Sequence, residues 1–539
     1  MRAVLTKRDG SRFRAWQAGI LAIIFVIALG MIRSGASWGS SAYDPTTDPY
    51  SMQNITAGNG AQAWWNDGLT GKGVDVAVID TGVAPVQGLS TPGKIVNGPD
   101  LSFESQNPSL RYLDTNGHGT FMAGVIAGND DQPGGYRGVA PGSRILSVKV
   151  GDSDGAVDVS QVIAAIDWVD QHRYDNGMDI RVINLSYGTN SRQPYTVDPL
   201  AYALEQAWKD GIVVVTAAGN TGIGTGLTDP AYDPHLIAVG AADTMGTAWT
   251  GDDRPASFSA GALVCRLTNC RPPNLLAPGT HMQGLRVPGS YIDQNNPDAA
   301  LGALYFRGSG TSEAAAFVTG AVALLLQKYP QLTPDQVEQM LMASTDNLPG
   351  NGPLVQGAGE LDLNKLLQEA PPAAHGGWDW RTFFDRHYLP AWLLSGMRWS
   401  TGSGSLELSR GSAHLSLNGV VLEGERDIFG MPFDSAAMAA LEAAGSSWSG
   451  GTWNGSQWTG SSWSGSSWSG SSWSGSSWSG SSWSGSSWSD LVWSDNTWGG
   501  SSWSGSSWSG NSWSGSSWSG SSWSGLDWEG DQWLGASWG

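Results

Sequence analysis

Three residues stand out for the chemistry their types permit. Asp80 ends the apolar run Val76-Ala77-Val78-Ile79 and is followed by Thr81-Gly82. A carboxylate at the end of a buried strand lies where the loops of an open α/β sheet build a site. His118 stands between two glycines in Asn116-Gly117-His118-Gly119-Thr120, just before an apolar stretch, 121–127, that reads as a helix. Glycines there allow close backbone approach, and the helix start fixes the ring. Ser312 closes Ser309-Gly310-Thr311-Ser312 ahead of the long apolar run 314–326. Its hydroxyl is therefore at a helix N-terminus, where free N–H groups and the helix dipole stabilise developing negative charge. Singly, each has a plainer reading: a turn aspartate, a structural histidine, an N-cap serine. Together, a carboxylate, an imidazole and a hydroxyl are the parts of nucleophilic acyl transfer. The hydroxyl attacks a carbonyl, the imidazole carries its proton, and the carboxylate holds the imidazole tautomer.

The elements that must position these groups alternate. Apolar, β-branched runs at 74–79, 145–150, 182–186 and 212–217 read as strands buried on both faces, with amphipathic helices at 159–170 and 199–209 between them. A later helix is signalled by Thr333 as N-cap, Pro334 at the first helical position and Gln336 three residues after the cap. The pattern predicts an α/β fold with a parallel sheet between helices.

Asp, His and Ser occur in the order of the subtilisin-like serine proteases, not in that of chymotrypsin or the α/β-hydrolases. Ile79-Asp80-Thr81-Gly82, Gly117-His118-Gly119-Thr120 and Gly310-Thr311-Ser312 resemble that family's three signatures. The resemblance implies a three-layer domain over 54–370 and a bacterial serine endopeptidase acting on polypeptides, with Asp80, His118 and Ser312 as its triad. It makes Asn220, in Thr216-Ala217-Ala218-Gly219-Asn220, the oxyanion-hole donor. It also implies that Ser186, Tyr187 and Gly188, with Ala217, Ala218 and Gly219, border the substrate and line its main specificity pocket. Backbone around Gly155 would flank an extended peptide. That chemistry requires no cofactor; relatives often carry stabilising calcium, for which no ligand set is assignable in this sequence. The run Asp152-Ser153-Asp154-Gly155 lacks the later ligands of a calcium loop and reads as a turn.

The chain departs from the family in three places. Glu313 stands where Met usually follows the nucleophile, Ala316 and Phe317 replace a Pro-His pair, and the stretch from Ala36 to Asn54 is too short for the common folding prodomain. Glu313 motivates a rival reading, a catalytically impaired relative whose cleft binds peptides.

Composition bounds the rest. A net charge of -20 argues against nucleic acid as partner, since phosphate binding needs clustered Lys and Arg. Arg2, Lys7, Arg8, Arg12 and Arg14 precede an uncharged apolar run over 18–32 and then Ser34-Gly35-Ala36. Residues 1–36 therefore read as an export signal or membrane anchor, with the peptidase domain outside the cytoplasm and membrane contact only through this segment. Residues 37–53 read as a linker. The two cysteines, Cys265 and Cys270, are expected to pair in an exported protein.

After a Pro/Gly-rich linker at 371–377, residues 378–445 read as a small β-rich segment, with strand-like stretches at 406–408, 414–417 and 420–422. From Trp448 to Trp538 a tryptophan falls at every fifth position, mostly in Ser-Ser-Trp-Ser-Gly. This repeat tail, 446–539, reads as low-complexity sequence, with a coil of five-residue sides as the ordered alternative; it resembles the pentapeptide repeats, with Trp in place of the central Leu or Phe. Its indoles and Ser-Gly spacers suit multivalent attachment to cell-surface polymers, and a second rival reading makes that attachment the main role of the protein.

Overall fold

Val76, Ala77, Val78 and Ile79 carry no group that needs solvent, and the strand they form is buried along its whole length. The computed structural model describes residues 43–372 apart from 108, 131, 133–134, 225 and 263–270. It describes 398–447 apart from 418–419 and 428–431, and strands within 457–525. The expected export segment 1–36 and the pair Cys265 and Cys270 lie outside the described residues.

The chain lays down β1 (Asp75–Asp80), β2 (Ile95–Asp100), β3 (Arg144–Lys149), β4 (Ile180–Leu185), β5 (Val213–Ala217), β6 (Ile237–Asp243), β7 (Arg254–Pro255) and β8 (Leu275–Pro278). β9 (Met282–Leu285), β10 (Ala300–Leu301) and β11 (Tyr305–Gly308) form a small antiparallel sheet. β12 (Thr345–Asp346) and β13 (Glu360–Leu361) return to the main sheet. Its order is β12-β13-β8-β6-β5-β4-β1-β3-β2, with β7 beside β6. Every pairing is parallel except β12 with β13 and β6 with β7. β1 pairs with β3 on one side and β4 on the other, Ala77 lying opposite both Leu146 and Ile183. The strand order turns there, so the end of β1 opens into the crevice where such sheets hold their ligands. The sequence reading named neither β2 nor β6 as strands.

Helices flank the sheet, as expected: α1 (His118–Ala127), α2 (Val159–Gln171), α3 (Pro199–Lys209), α4 (Thr311–Lys328) and α5 (Pro334–Ala343). α4 is buried from Ala314 to Leu326. α2 and α3 start on aspartate caps: Asp158 accepts from Ser160 N, and Asp198 from Leu200 N and Ala201 N. Thr333, Pro334 and Gln336 form the anticipated capping box of α5. α1 departs from expectation by beginning at His118 itself, three residues before position 121. Asp114 accepts from Gly117 N and Thr120 N at 2.7 Å each, supplying the cap that the flanking glycines lack.

The segment read as β-rich holds more helix than strand where it is described. α6 (Leu406–Arg410) and α7 (Ser435–Ala443) flank a two-residue antiparallel pairing of Ser416–Leu417 with Val420–Val421. The 406–408 stretch turns into helix because Ser405 Oγ caps Leu408 N and Leu406 is drawn into the main core. Residues 398–447 form a strap across α2 and α3. Arg410 Nε donates to Asp158 Oδ2 at 2.6 Å, Ser409 Oγ to Asp198 Oδ1 at 3.1 Å, and Ser400 N to Glu205 Oε2 at 2.7 Å.

In the tail, the described strands pair in parallel and in register. Ser462–Gly470 lies against Ser477–Gly485, with Trp463 opposite Trp478, and Trp503–Gly510 lies against Trp518–Gly525, with Trp508 opposite Trp523. Among the described residues no helix is long and apolar enough to cross a membrane.

Candidate active site

Asp80 terminates β1, and His118 opens α1. The His118 Nδ1 lies 2.8 Å from Asp80 Oδ1 and 3.0 Å from Oδ2, so the carboxylate clasps one edge of the ring and leaves Nε2 for other work. Asp80 Oδ1 also accepts from Thr81 N at 2.8 Å. Thr81 Oγ1 donates to Asp114 Oδ1 at 2.8 Å and accepts from Gly119 N at 3.0 Å, tying the end of β1 to the start of α1. Only glycine fits at 119, because a Cβ there would collide with the carbonyl oxygen of Gly82. The carboxylate side chain is buried, while a third of the imidazole remains open.

Burial of the ring works against its cation, but the charge and hydrogen bond of Asp80, followed by the charges of Glu313 and Asp114, outweigh it. The His118 pKa is pushed up to about 9.

Ser312 is the second residue of α4 and half-buried, with its backbone in the first helical turn. Asn220, exposed just after β5, anchors that turn. Its Oδ1 accepts from Thr311 N at 2.9 Å and from Thr311 Oγ1 at 3.0 Å, and Gly219 N donates to Thr311 Oγ1 at 3.1 Å. With Oδ1 committed, the Nδ2 amide is left for another acceptor. Glu313, 7% exposed, turns inward beneath the same turn, and a Cβ added at Gly310 would come within 2.6 Å of its carboxylate. Burial raises its pKa, and the His118 cation partly offsets that.

Two of the anticipated substrate-binding residues, Gly188 and Gly219, approach Thr228. A Cβ at Gly188 would meet Thr228 Oγ1 at 2.6 Å, and one at Gly219, whose φ is 109°, would meet Thr228 Cγ2 at 2.7 Å. Ser186 and Tyr187 are half-buried and Gly188 is exposed. Ala217 ends β5 and is buried. Ala218 is fully buried, its N–H given to Val239 O and its carbonyl accepting from Thr228 N, so it supports the wall from behind. Gly155 is exposed in a turn beside the His118 loop, where Asn116 Nδ2 donates to Ser153 O at 2.9 Å. Ala156 N donates to Oδ1 of both Asp152 and Asp154 at 3.0 Å, which makes that run a turn, as expected.

Thr81 and Thr311 stand within the quoted signatures, though the sequence reading assigned them no role of their own, and two further supporting residues, Asp114 and Thr228, were not anticipated. Of these, Asp114 left a signal, an aspartate three residues before the glycine that opens a helix. One group among the described residues has the make-up of a metal site: Glu205, Asp233 and His235, all buried, each offering a ligand atom within 4.8 Å of the others.

The sequence profile of the subtilase family matches residues 71–359. The chain is 38% identical over 304 residues to serine protease AprX of Bacillus subtilis (strain 168), covering 56% of this chain and 67% of that protein. It is 34% identical over 306 residues to subtilisin DY of Bacillus licheniformis, covering 56% and 93% respectively. To subtilisin Savinase of Lederbergia lenta it is 34% identical over 289 residues, covering 53% and 89%.

Proposed function

The chain belongs to the subtilase family, and from that premise we propose that its serine endopeptidase activity runs through Ser312 as nucleophile, His118 as general base and acid, and Asp80 as the group that orients His118. The observation that carries this reading is the two-oxygen grip of Asp80 on His118 Nδ1, at 2.8 and 3.0 Å, at the end of β1. It keeps the proton on Nδ1 and presents Nε2 as a base. Ser312 Oγ attacks the peptide carbonyl carbon while Nε2 takes the hydroxyl proton. The carbonyl oxygen becomes an oxyanion, met by Asn220 Nδ2 and by the N–H of Ser312, which has no carbonyl one turn earlier to bond. His118 then gives its proton to the leaving amine, and water repeats the sequence on the acyl-enzyme.

The substrate is a polypeptide. An extended chain between the 153–155 turn and the 186–188 strand end would add hydrogen bonds of the β type, with Gly219 and Thr228 beside its side-chain pocket. Export rests on the basic-then-apolar segment 1–36, and attachment to surface polymers on the tryptophan repeat. Replacing Ser312→Ala tests the assignment. Turnover of a peptide substrate should fall about 10⁶-fold, the loss established for the nucleophile of subtilisin itself. Circular dichroism should be unchanged, and retention of more than about 1% of activity would remove Ser312 from the nucleophile's role.

A further inference from the structure

α3 and the turn before β6 bring three buried metal-ligating side chains together. Glu205 is in the second turn of α3, and Asp233 and His235 lie just ahead of β6. Their ligand atoms are mutually within 4.8 Å. Asp233 is 0% exposed; its Oδ1 accepts from His235 N at 3.0 Å, while its Oδ2 has no hydrogen-bond partner. A buried carboxylate oxygen left without a donor is costly, and it points to something that supplies positive charge.

The strap closes over the same cluster. The Trp399 ring stacks on His235 at 3.8 Å between centroids, and Ser400 N donates to Glu205 Oε1 at 2.9 Å and Oε2 at 2.7 Å. Lys209 Nζ lies 3.7 Å from Glu205 Oε2 and 4.3 Å from the Trp399 ring, where it can stay if the carboxylate turns to another cation. Arg271 also acts on Asp233, yet its guanidinium is committed to Ala231 O, Leu236 O and Asn274 Oδ1. Burial first, and then Asp233's charge, push Glu205 up to about 9; burial pushes Asp233 up to about 7. Two carboxylates held this way resist sharing negative charge.

We propose that Glu205, Asp233 and His235 form a binding site for a divalent transition-metal ion of the zinc class, clamping α3 and the turn before β6 under the strap. Two carboxylates and one imidazole suit zinc, manganese or cobalt; calcium would demand six to eight oxygens. A tetrahedral shell with bonds of ~2.1 Å has ligand–ligand edges of about 3.4 Å, so closure from the present spacing needs only small side-chain adjustments. Water would take the fourth position, and Trp399 and the Ser400 N–H would serve as the outer partners that orient the ligands.

The test uses the full chain carrying Ser312→Ala, stripped with chelator and titrated with zinc by calorimetry. One zinc per chain is expected, with a raised Tm. His235→Ala and Glu205→Gln should each weaken binding by at least ~100-fold, and Trp399→Ala by ~10-fold, as for loss of an outer partner. Zinc-edge X-ray absorption on the unsubstituted cluster gives a readout independent of whether those variants fold. A first shell of oxygen and one imidazole supports the site. No zinc uptake, a sulfur shell from Cys265 and Cys270, or affinity unchanged in both ligand variants overturns it.

Discussion

The cleft and the face beneath the strap use the same residue types to opposite ends. In the cleft, Asp114 is satisfied by backbone N–H groups and Thr81, Asn220 spends its Oδ1 on Thr311, and Asp80 holds His118. That leaves the open edge of the imidazole, Ser312 and the Asn220 amide group turned outward. Beneath the strap, the Asp158 carboxylate meets a guanidinium that is itself fully committed. Arg410 and Asp158 are both 0% exposed in their side chains, and Arg410 also donates to Gly424 O and Arg426 O. The first arrangement holds the proposed reacting groups ready at little cost to the fold. The second ties two distant parts of the chain together, and it turns any lost partner into a buried, unpaired charge.

Arg410→Ala should therefore give the largest effect on stability, lowering it by about 3–5 kcal/mol as Asp158 is stranded, with kcat/KM at permissive temperature nearly unchanged. Urea denaturation in the Ser312→Ala background measures the first quantity, and peptide hydrolysis by the otherwise unsubstituted enzyme the second. A parallel fall in kcat/KM would break the separation between the two regions. Asn220→Ala should do the reverse. Turnover should drop ~10²–10³-fold, or ~2.7–4 kcal/mol, a figure carried over from the corresponding donor of subtilisin. Stability should fall by only ~1 kcal/mol, for the cap that Oδ1 gives to Thr311 N. Unchanged turnover would remove Asn220 from the oxyanion site.

The smallest effect is expected at Glu313. Its negative charge helps hold the His118 pKa near 9, and only the neutral imidazole accepts the serine proton, so kcat/KM should rise with pH through that range. Glu313→Gln removes the charge and keeps the shape between Gly308 and Gly310. The His118 pKa falls, and the acid limb moves to lower pH by less than about one unit, under ~1.4 kcal/mol. A limb that moves upward or stays in place would contradict this. The linkage also reaches stability. A histidine whose pKa is raised on folding stabilises fully below its ordinary value of 6.5, and that contribution is lost as pH rises through about 9.

The positions of Asp80, His118, Ser312 and Asn220 were legible because each sits in a short motif whose neighbours set its local geometry: two strand ends, a glycine pair and a helix start. The onset of α1 was misread because two glycines look like breakers, while the cap that overrides them, Asp114, acts from four residues away. The strap was illegible for a stronger reason. Asp158 and Arg410 are 252 residues apart, and nothing local to either marks the other. Without that partner, 406–408 is a three-residue Leu-Glu-Leu stretch, too short for period alone to assign to helix or strand. Glu205, Asp233 and His235 were passed over likewise, since the first lies 28 and 30 positions from the others and only the fold gathers them.

Pairing in the tail is defined only modulo the repeat. Trp463 faces Trp478, three units on, and Trp483 faces Trp503, four units on, so the ladder accepts either count between partners. A gene that gains or loses one whole unit, as repetitive DNA does by replication slippage, returns tryptophan to tryptophan. Loss of a single codon shifts every downstream tryptophan out of the register in which it is paired. In the α/β domain each position has its own neighbours, and a slip of register exchanges the faces of a strand. The two parts of the chain thus carry different mutational tolerances: the domain is closed to changes of length within its strands, and the tail is free to vary in length by whole repeats.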